Sequence, residues 1–137
     1  MPADDLIDGL QPAELEAEAK ERWGTTESWK TAQQRTRGYK QADWTALRTE
    51  VSAIEADLAA LMAAGTPADD AAAMDAAERH RLHIDRWFYP CPHAMHAMLG
   101  QTYTDDPRFE AYYEKRAAGL ARFVRDAIAA NTARHGA

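Results

Sequence analysis

The sequence predicts an all-α fold, and three observations support this prediction. No segment shows the sustained alternation of apolar and polar residues that is typical of a half-buried strand. Alanine dominates the apolar residues, which favours helices that pack closely through small side chains. Between residues 44 and 61, apolar side chains recur in steps of three and four, the period of one helix face. The 137 residues suffice for one domain with its own core.

The N-terminal part is expected to contain a lead and two short helices. Residues 1–10 carry no helix signal and are interpreted as a flexible lead. A helix over residues 11–23 begins with a proline in its first turn and ends at Gly24. The next helix carries Trp29 and ends near Gly38.

The third helix has the clearest signal, a continuous apolar stripe over about six turns. It ends at Gly65, and Pro67 prevents its continuation. Such a stripe suits the seam of an intramolecular bundle, and alternatively a structural module that dimerises as a coiled coil. Three heptads within a compact chain favour the bundle, and we expect a monomer. The stripe consists of Trp44, Leu47, Val51, Ile54, Leu58 and Leu61.

Two prolines and a glycine delimit the remaining helices. One helix is predicted from about Asp69 to about Phe88, where Pro90 ends it. The following helix starts with Pro92 at its first position. The last helical region extends over residues 106–134 and is interrupted at Gly119. The helix after Pro92 is expected to bury Met95, either Met98 or Leu99, and Tyr103.

Composition excludes several classes of function. The net charge of −6 and the pI near 5.3 argue against nucleic-acid binding by this chain alone and against binding to anionic membranes. No apolar run is long enough to span a bilayer, and the N-terminus lacks the features of a signal peptide. A single cysteine cannot form an internal disulfide, so we expect a cytoplasmic protein. No acid–base pair stands out, so no catalytic residue is assigned and no enzyme is expected.

The stretch RWFYPCPHAMHAML, residues 86–99, raises the question of a metal site. His80 and His83 are one helical turn apart, and His93 and His96 repeat that spacing beside Cys91. Imidazole and thiolate groups at this density resemble zinc or haem ligands, although the spacing matches no established zinc pattern. His83 is expected to face more outward than His80. We expect no metal and no cofactor, and keep metal or haem binding as the alternative function.

The cysteine itself permits two further interpretations. With Pro92 as the first helical residue, Cys91 would occupy the N-cap, where backbone N–H groups and the helix dipole lower a thiol's pKa. The neighbouring Trp87, Phe88 and Tyr89 would then make this a ligand-facing thiol. Alternatively, Cys91 is a small buried apolar residue at a helix junction.

Several segments together resemble a known family. In order they are AKERWGTTESW, RTRGYKQADW, ALMAAGTPAD, DAAERHRLHIDRWFYPC, HAMHAML, YTDDPRF and GLARFVRDAIAAN, spread over residues 18–131. They resemble the TipAS antibiotic-recognition domains of MerR-type transcriptional regulators. The resemblance implies a globin-like multi-helix bundle without haem. It also implies binding of bulky multi-ring antibiotics such as thiopeptides or albicidin-like compounds, for sequestration or for sensing by a transcriptional activator.

The sequence departs from the family pattern in three respects. No basic winged-helix segment precedes the domain, so this chain alone is not expected to read DNA. Of the family's two cysteines seven residues apart, Cys91 is present but Met98 replaces the one that adds to dehydroalanine, so covalent capture is not expected. Lys40 stands where a threonine often caps the following helix, which weakens that cap by about 1 kcal/mol.

The ligand is expected to lie among aromatic and sulfur-containing side chains, because flat multi-ring compounds need such walls. Residues 11–39, with few apolar side chains of their own, are expected to form a mobile lid that closes over it. The predicted ligand-binding residues are Trp29, Tyr39, Trp44, Trp87, Tyr89, Cys91, His93, Met95, Met98 and Tyr103.

Overall fold

Six helices make up the part of the chain that the structure describes. The computed structural model describes residues 27–136, and no strand occurs within this range. The all-α prediction is therefore confirmed. The lead over residues 1–10 and the helix over residues 11–23 lie outside the described residues. The helices are α1 (Glu27–Arg37), α2 (Gln41–Ala63), α3 (Ala71–Trp87), α4 (His93–Asp105), α5 (Pro107–Arg116) and α6 (Leu120–Arg134).

The longest helix, α2, buries its apolar stripe within its own chain. Trp44, Leu47, Ile54 and Leu58 are buried, and the other two stripe residues are half-buried. α2 packs against α3 and α6, so the stripe forms an intramolecular seam as the bundle interpretation predicts. Neither α2 nor any other described helix carries a stretch long and apolar enough to cross a bilayer.

Small residues allow the central helices to approach closely. Ala73, Ala76 and Ala77 of α3 are fully buried in the main core, which α3 shares with α2 and α6. At the α4–α6 contact, a Cβ on Gly100 would lie only 3.2 Å from Ile128 Cδ1. The core is therefore built on close backbone approach, which explains the abundance of alanine.

The C-terminal region is interrupted at Gly119, as predicted. This glycine has φ 86°, a left-handed conformation that a Cβ disfavours. The Glu114 carboxylate caps α6 by accepting from the backbone N–H groups of Gly119 (2.8 Å) and Ala121 (3.1 Å). Asp106 caps α5 in the same way, accepting from Arg108 N–H at 2.9 Å.

The start of α2 lacks a side-chain cap at Lys40, as expected, and the start of α4 differs from the prediction. The cap of α2 lacks a side-chain oxygen at Lys40, but Asp43 accepts a hydrogen bond from the Lys40 backbone N–H at 2.9 Å. α4 begins at His93, and Pro92 is its N-cap rather than its first residue. Of the two alternatives for burial in α4, Leu99 packs on the core, whereas the Met98 side chain is 71% exposed.

Candidate functional site

The segment between α3 and α4, residues 88–92, is held in place by side chains of α3. The Asp85 carboxylate accepts a hydrogen bond from the Cys91 backbone N–H at 2.9 Å. The Arg81 guanidinium donates to the Cys91 carbonyl at 2.9 Å. The last two turns of α3 therefore determine the course of the chain into α4.

An aromatic cluster lies at the start of this segment. The ring of Tyr39 contacts Trp44 edge-on at 5.4 Å between centroids and Trp87 edge-on at 5.6 Å. Leu47 is buried with the two tryptophans, and Phe88 packs against them. The Tyr39 hydroxyl donates to the Trp87 carbonyl. These contacts bring together three of the predicted ligand-binding residues.

The indole N–H groups of the two tryptophans differ. Trp87 Nε1 donates to Glu50 Oε1 at 3.2 Å. Trp44 Nε1 is buried and has no hydrogen-bond partner among the described residues. The cluster therefore contains one unused buried donor.

Glu50 is the carboxylate that the aromatic cluster contacts. It also accepts from His83 Nδ1 at 2.6 Å, and Arg86 lies 3.6 Å away with its guanidinium over the Trp87 ring. Burial alone would raise the pKa of Glu50, but the hydrogen bonds from His83 and Trp87 outweigh it and hold the pKa below its usual value. Burial lowers the pKa of His83, against the raising effect of Glu50.

Polar contacts attach α1 to the end of α3. The Arg35 guanidinium donates to the carbonyl of Asp85 at 2.6 Å and to that of Arg86 at 3.4 Å. Together with Tyr39, it supplies donors to three carbonyls in the last turn of α3, which have no partner within the helix. No residue of α1 is fully buried.

The structure contradicts the predicted activation of Cys91. The residue precedes the N-cap of α4 by one position, and it is 1% exposed. Burial raises the pKa of its thiol to about 11, and the nearby Arg81 charge only partly opposes this. Cys91 is therefore a buried apolar residue at a helix junction, which was the alternative to a ligand-facing thiol.

The histidines proposed as metal ligands form pairs rather than one site. His80 Nδ1 lies 2.8 Å from His96 Nε2, whereas His83 is bonded to Glu50. The expectation that His83 faces more outward than His80 is wrong, since both histidines of α3 are equally buried. Desolvation lowers the pKa of His80 to about 4 and that of His96 to about 2. Both imidazoles are neutral at pH 7.

One group within residues 27–136 does bring three possible metal-ligand atoms together, namely Glu78, His93 and His135. It shares only His93 with the set proposed from the sequence. Glu78 also accepts hydrogen bonds from Arg81 and Asn131, with its nearest Arg81 contact at 2.5 Å. The Arg81 contact, opposed by burial and helped by Asn131 and His93, lowers the pKa of Glu78 to about 2.

The remaining predicted ligand-binding residues differ in how far they are buried. Trp29 is half-buried on α1, and its neighbour Ser28 contacts Met95 Sδ at 3.9 Å. Tyr89 is half-buried, and burial raises the pKa of its hydroxyl to about 12. Tyr103 is buried against His80 and the α5 aromatic residues.

The sequence did not identify the polar residues around the α3–α4 junction, residues 88–92. Arg35, Glu50, Glu78 and Asp85 resemble solvated charges in the sequence, because their partners are side chains 15 to 53 residues away or backbone N–H and carbonyl groups. Only the Glu78–Arg81 pair, three residues apart on one helix, had a local signal.

Comparison with known proteins identifies the family of this arrangement. Residues 15–131 match the family described as the TipAS antibiotic-recognition domain. The HTH-type transcriptional activator TipA of Streptomyces coelicolor is 40% identical over 131 residues, which are 96% of this chain and 52% of that protein. The chain thus spans about half the length of this relative.

Two solved structures are also similar. The TipAS–nosiheptide complex of a thiopeptide multidrug resistance system from Streptomyces lividans has a TM-score of 0.89 and 39% identity, covering 98% of this chain and 94% of that one. The antibiotic-binding domain of a TipA-class multidrug resistance regulator has a TM-score of 0.62 and 44% identity, covering 66% of this chain and 97% of that one.

Proposed function

Because this chain belongs to the family of TipAS antibiotic-recognition domains, we propose that it binds a bulky multi-ring natural-product antibiotic without chemically converting it. The observation that carries this proposal is its similarity, over 98% of the chain, to a TipAS structure that holds the thiopeptide nosiheptide. Thiopeptides and albicidin-like compounds share the flat, apolar surfaces that aromatic and thioether side chains contact well.

The ligand surface is proposed to lie where α1 covers the junction of α3 and α4. Trp29, Tyr89 and Met95 are half-buried there, so they offer apolar surface without unfolding of the core. Met98 is exposed and extends this surface along α4. His93 is half-buried and adds a polar group.

We propose that the buried residues among those predicted to bind the ligand support this surface from behind. Trp44, Trp87 and Cys91 are proposed to form the wall behind the surface, with Tyr39 between wall and surface, whereas Tyr103 lies in the main core. The unpaired Trp44 N–H would become available to a ligand carbonyl or thiazole nitrogen if α1 and Tyr39 moved away.

α1 and Tyr39 are proposed to act as a lid, whereas residues 11–26 of the lid predicted from the sequence lie outside the described residues. The attachment of α1 includes a few hydrogen bonds to the end of α3, and no residue of α1 is fully buried, so opening exposes little of the core. A ligand that contacts both α1 and the α3–α4 junction favours the closed state by its additional contacts there.

Binding is proposed to be non-covalent. Addition to a dehydroalanine needs a thiolate, and Cys91 is buried with a raised pKa. The exposed sulfur of Met98 is a thioether, which carries no ionisable proton.

Two roles are compatible with such a domain, and the choice depends on the rest of the protein. Joined to a helix-turn-helix segment, as in the relative TipA, the domain would sense the drug for a transcriptional activator. Acting without such a segment, it would lower the free drug concentration. Both roles need a cytoplasmic location and the same binding step.

Titration of the protein with nosiheptide tests the proposal. We expect saturable, one-to-one quenching of tryptophan fluorescence, because Trp29, Trp44 and Trp87 all lie at the junction. Met95→Ala should weaken binding, because it removes a thioether from the proposed surface, whereas Leu82→Ala, an exposed apolar residue of α3, serves as the matched control. Absence of saturation with nosiheptide and with an albicidin-like compound would contradict the proposal.

A further inference from the structure

The segment between α3 and α4, residues 88–92, has few backbone N–H groups that can hold its course. Two of its five residues are prolines, which have no N–H to donate. The N–H groups of its first two residues both donate to the Ile84 carbonyl, at 2.9 and 3.3 Å, and so continue the last turn of α3. The Cys91 N–H is therefore the one donor of this segment that can fix the chain beyond α3.

Two charged side chains of α3 bond to the backbone of Cys91. The half-buried Asp85 accepts from the Cys91 N–H at 2.9 Å, and Arg81, one helical turn earlier, donates to the Cys91 carbonyl at 2.9 Å. Arg81 is itself held by Glu78, which accepts from its Nε at 3.0 Å and from its Nη2 at 2.5 Å. Hydrogen bonds with one ionised partner are stronger than neutral ones, so this arrangement fixes Cys91 from both sides.

Asp85 also bonds to the other side of the proposed ligand surface. Its backbone carbonyl accepts from the Arg35 guanidinium of α1 at 2.6 Å. The same residue therefore contacts α1 through its main chain and residues 88–92 through its side chain. Each of these elements carries a half-buried aromatic residue of the proposed surface, Trp29 on α1 and Tyr89 in the segment.

We propose that Asp85 is a positioning residue for antibiotic binding, whose carboxylate holds residues 88–92 in the course that places Tyr89 at the ligand surface. The inference rests on the proposed function, because it assigns Asp85 a role in forming that surface. Asp85 acts through the Cys91 backbone and need not touch the ligand. Without this hydrogen bond the segment adopts other courses, and the apparent affinity falls with the fraction of molecules that keep the surface in place.

Two substitutions of Asp85 separate its positioning role from its charge. Asp85→Ala removes the acceptor, and a hydrogen bond to a charged group is worth about 10–100-fold in an equilibrium constant. We therefore expect the affinity for nosiheptide to fall by at least about tenfold and by no more than about 100-fold. Asp85→Asn removes the charge but keeps an oxygen that can accept from Cys91, so its affinity should stay within about threefold of the wild-type value.

Asp70→Ala is the matched control for a merely structural effect. Asp70 accepts from the Ala72 N–H at 3.0 Å at the start of α3, about 22 Å along the helix axis from Asp85. Its substitution also removes a bond between a carboxylate and a backbone N–H, and urea denaturation measures the loss of stability in each variant. At a temperature at which circular dichroism shows every variant folded, Asp70→Ala should bind nosiheptide as the wild-type protein does.

Exchange of the Cys91 amide proton gives a measurement that needs no ligand. Asp85→Ala should accelerate this exchange by about 10–100-fold, whereas Asp85→Asn should accelerate it much less. The proposal would be overturned by unchanged Cys91 exchange in Asp85→Ala, by unchanged affinity in that variant, or by an equal loss of affinity in Asp85→Asn or Asp70→Ala. Failure of the wild-type protein to bind nosiheptide would instead contradict the proposed function, and Cys91 exchange would still show whether Asp85 holds the segment.

Discussion

Two contacts hold the backbone of Cys91, and neither involves its thiol. They run from Asp85 to its N–H and from Arg81 to its carbonyl. The side chain points into the protein and has lost its hydration, so the charged form is disfavoured. The reactivity of a cysteine follows its thiolate fraction and its access to solvent, and both are low here.

The alkylation rate of Cys91 measures this effect. With iodoacetamide, we expect Cys91 to react more slowly than a cysteine peptide at every pH up to about 9, because its pKa is raised to about 11. The variant Met98→Cys places a thiol at an exposed position of α4 and should react at about the rate of the peptide. A rapid reaction of Cys91 in the folded wild-type protein would contradict its burial.

The same pair of proteins tests whether drug capture is covalent. After incubation with a dehydroalanine-containing thiopeptide, mass spectrometry should find the wild-type protein unmodified. An adduct in Met98→Cys would show that the drug reaches this part of α4. A stoichiometric adduct on wild-type Cys91 would show that non-covalent binding is the wrong interpretation.

At the scale of secondary-structure elements, α1 differs from the other five helices. It has no fully buried residue, whereas α2 and α6 bury several each. An isolated helix of 11 residues is marginal in water, so α1 depends on its attachment to the end of α3. Arg35 is central to that attachment, because it pairs a positive charge with the negative end of the α3 dipole.

Substitution of Arg35 tests this dependence. A hydrogen bond from a charged group is worth about 1.5–3 kcal/mol, so Arg35→Met should accelerate amide exchange in α1 by about tenfold or more. Arg37→Met, an exposed arginine of the same helix, is the matched control and should leave exchange unchanged. Nosiheptide should slow exchange in α1 of the wild-type protein. Protection of α1 equal to that of α2 without ligand would rule out the lid.

At the scale of the whole molecule, buried neutral histidines couple stability to pH. His80 and His96 have pKa values of about 4 and about 2 in the folded protein, and the pKa of His83 is also lowered. An unfolded histidine titrates near 6.5, so below this pH the unfolded chain binds more protons than the folded one. The free energy of unfolding therefore falls as the pH falls below 6.5.

Urea denaturation between pH 7 and pH 5 measures this coupling. Each histidine that stays neutral in the folded state lowers the free energy of unfolding by up to about 1.4 kcal/mol for each pH unit below 6.5. Glu78, with its pKa of about 2, adds a further loss below about pH 4.5. His96→Gln removes one of these protons and should reduce the slope by up to about 1.4 kcal/mol per pH unit, whatever its effect on stability at pH 7. A free energy of unfolding that is constant from pH 7 to pH 5 would contradict this account.

Local chemistry was sufficient to predict most of the helices. The stripe from Trp44 to Leu61 has a helical period wherever it is placed, and Pro90 and Gly119 interrupt a helix for reasons internal to their own backbone. These signals act over one or two turns, so they can be read directly from neighbouring residues. The predicted ends differ from the observed ones by one or two residues, because the caps depend on side chains such as Asp70, which accepts from the Ala72 N–H at the start of α3, and Asp106.

Partners distant in the sequence decided the chemistry of the junction. The sequence spacing predicted His80 and His83 on one face of a helix. The actual partner of His80 is His96, 16 residues away, and that of His83 is Glu50, 33 residues away. Met98 and Leu99 differ by about 100° around α4, and only the position of the packed core determined which one is exposed. Burial of Cys91, which reversed its expected acidity, likewise depends on how neighbouring helices pack, because desolvation is a property of the surroundings and not of the residue.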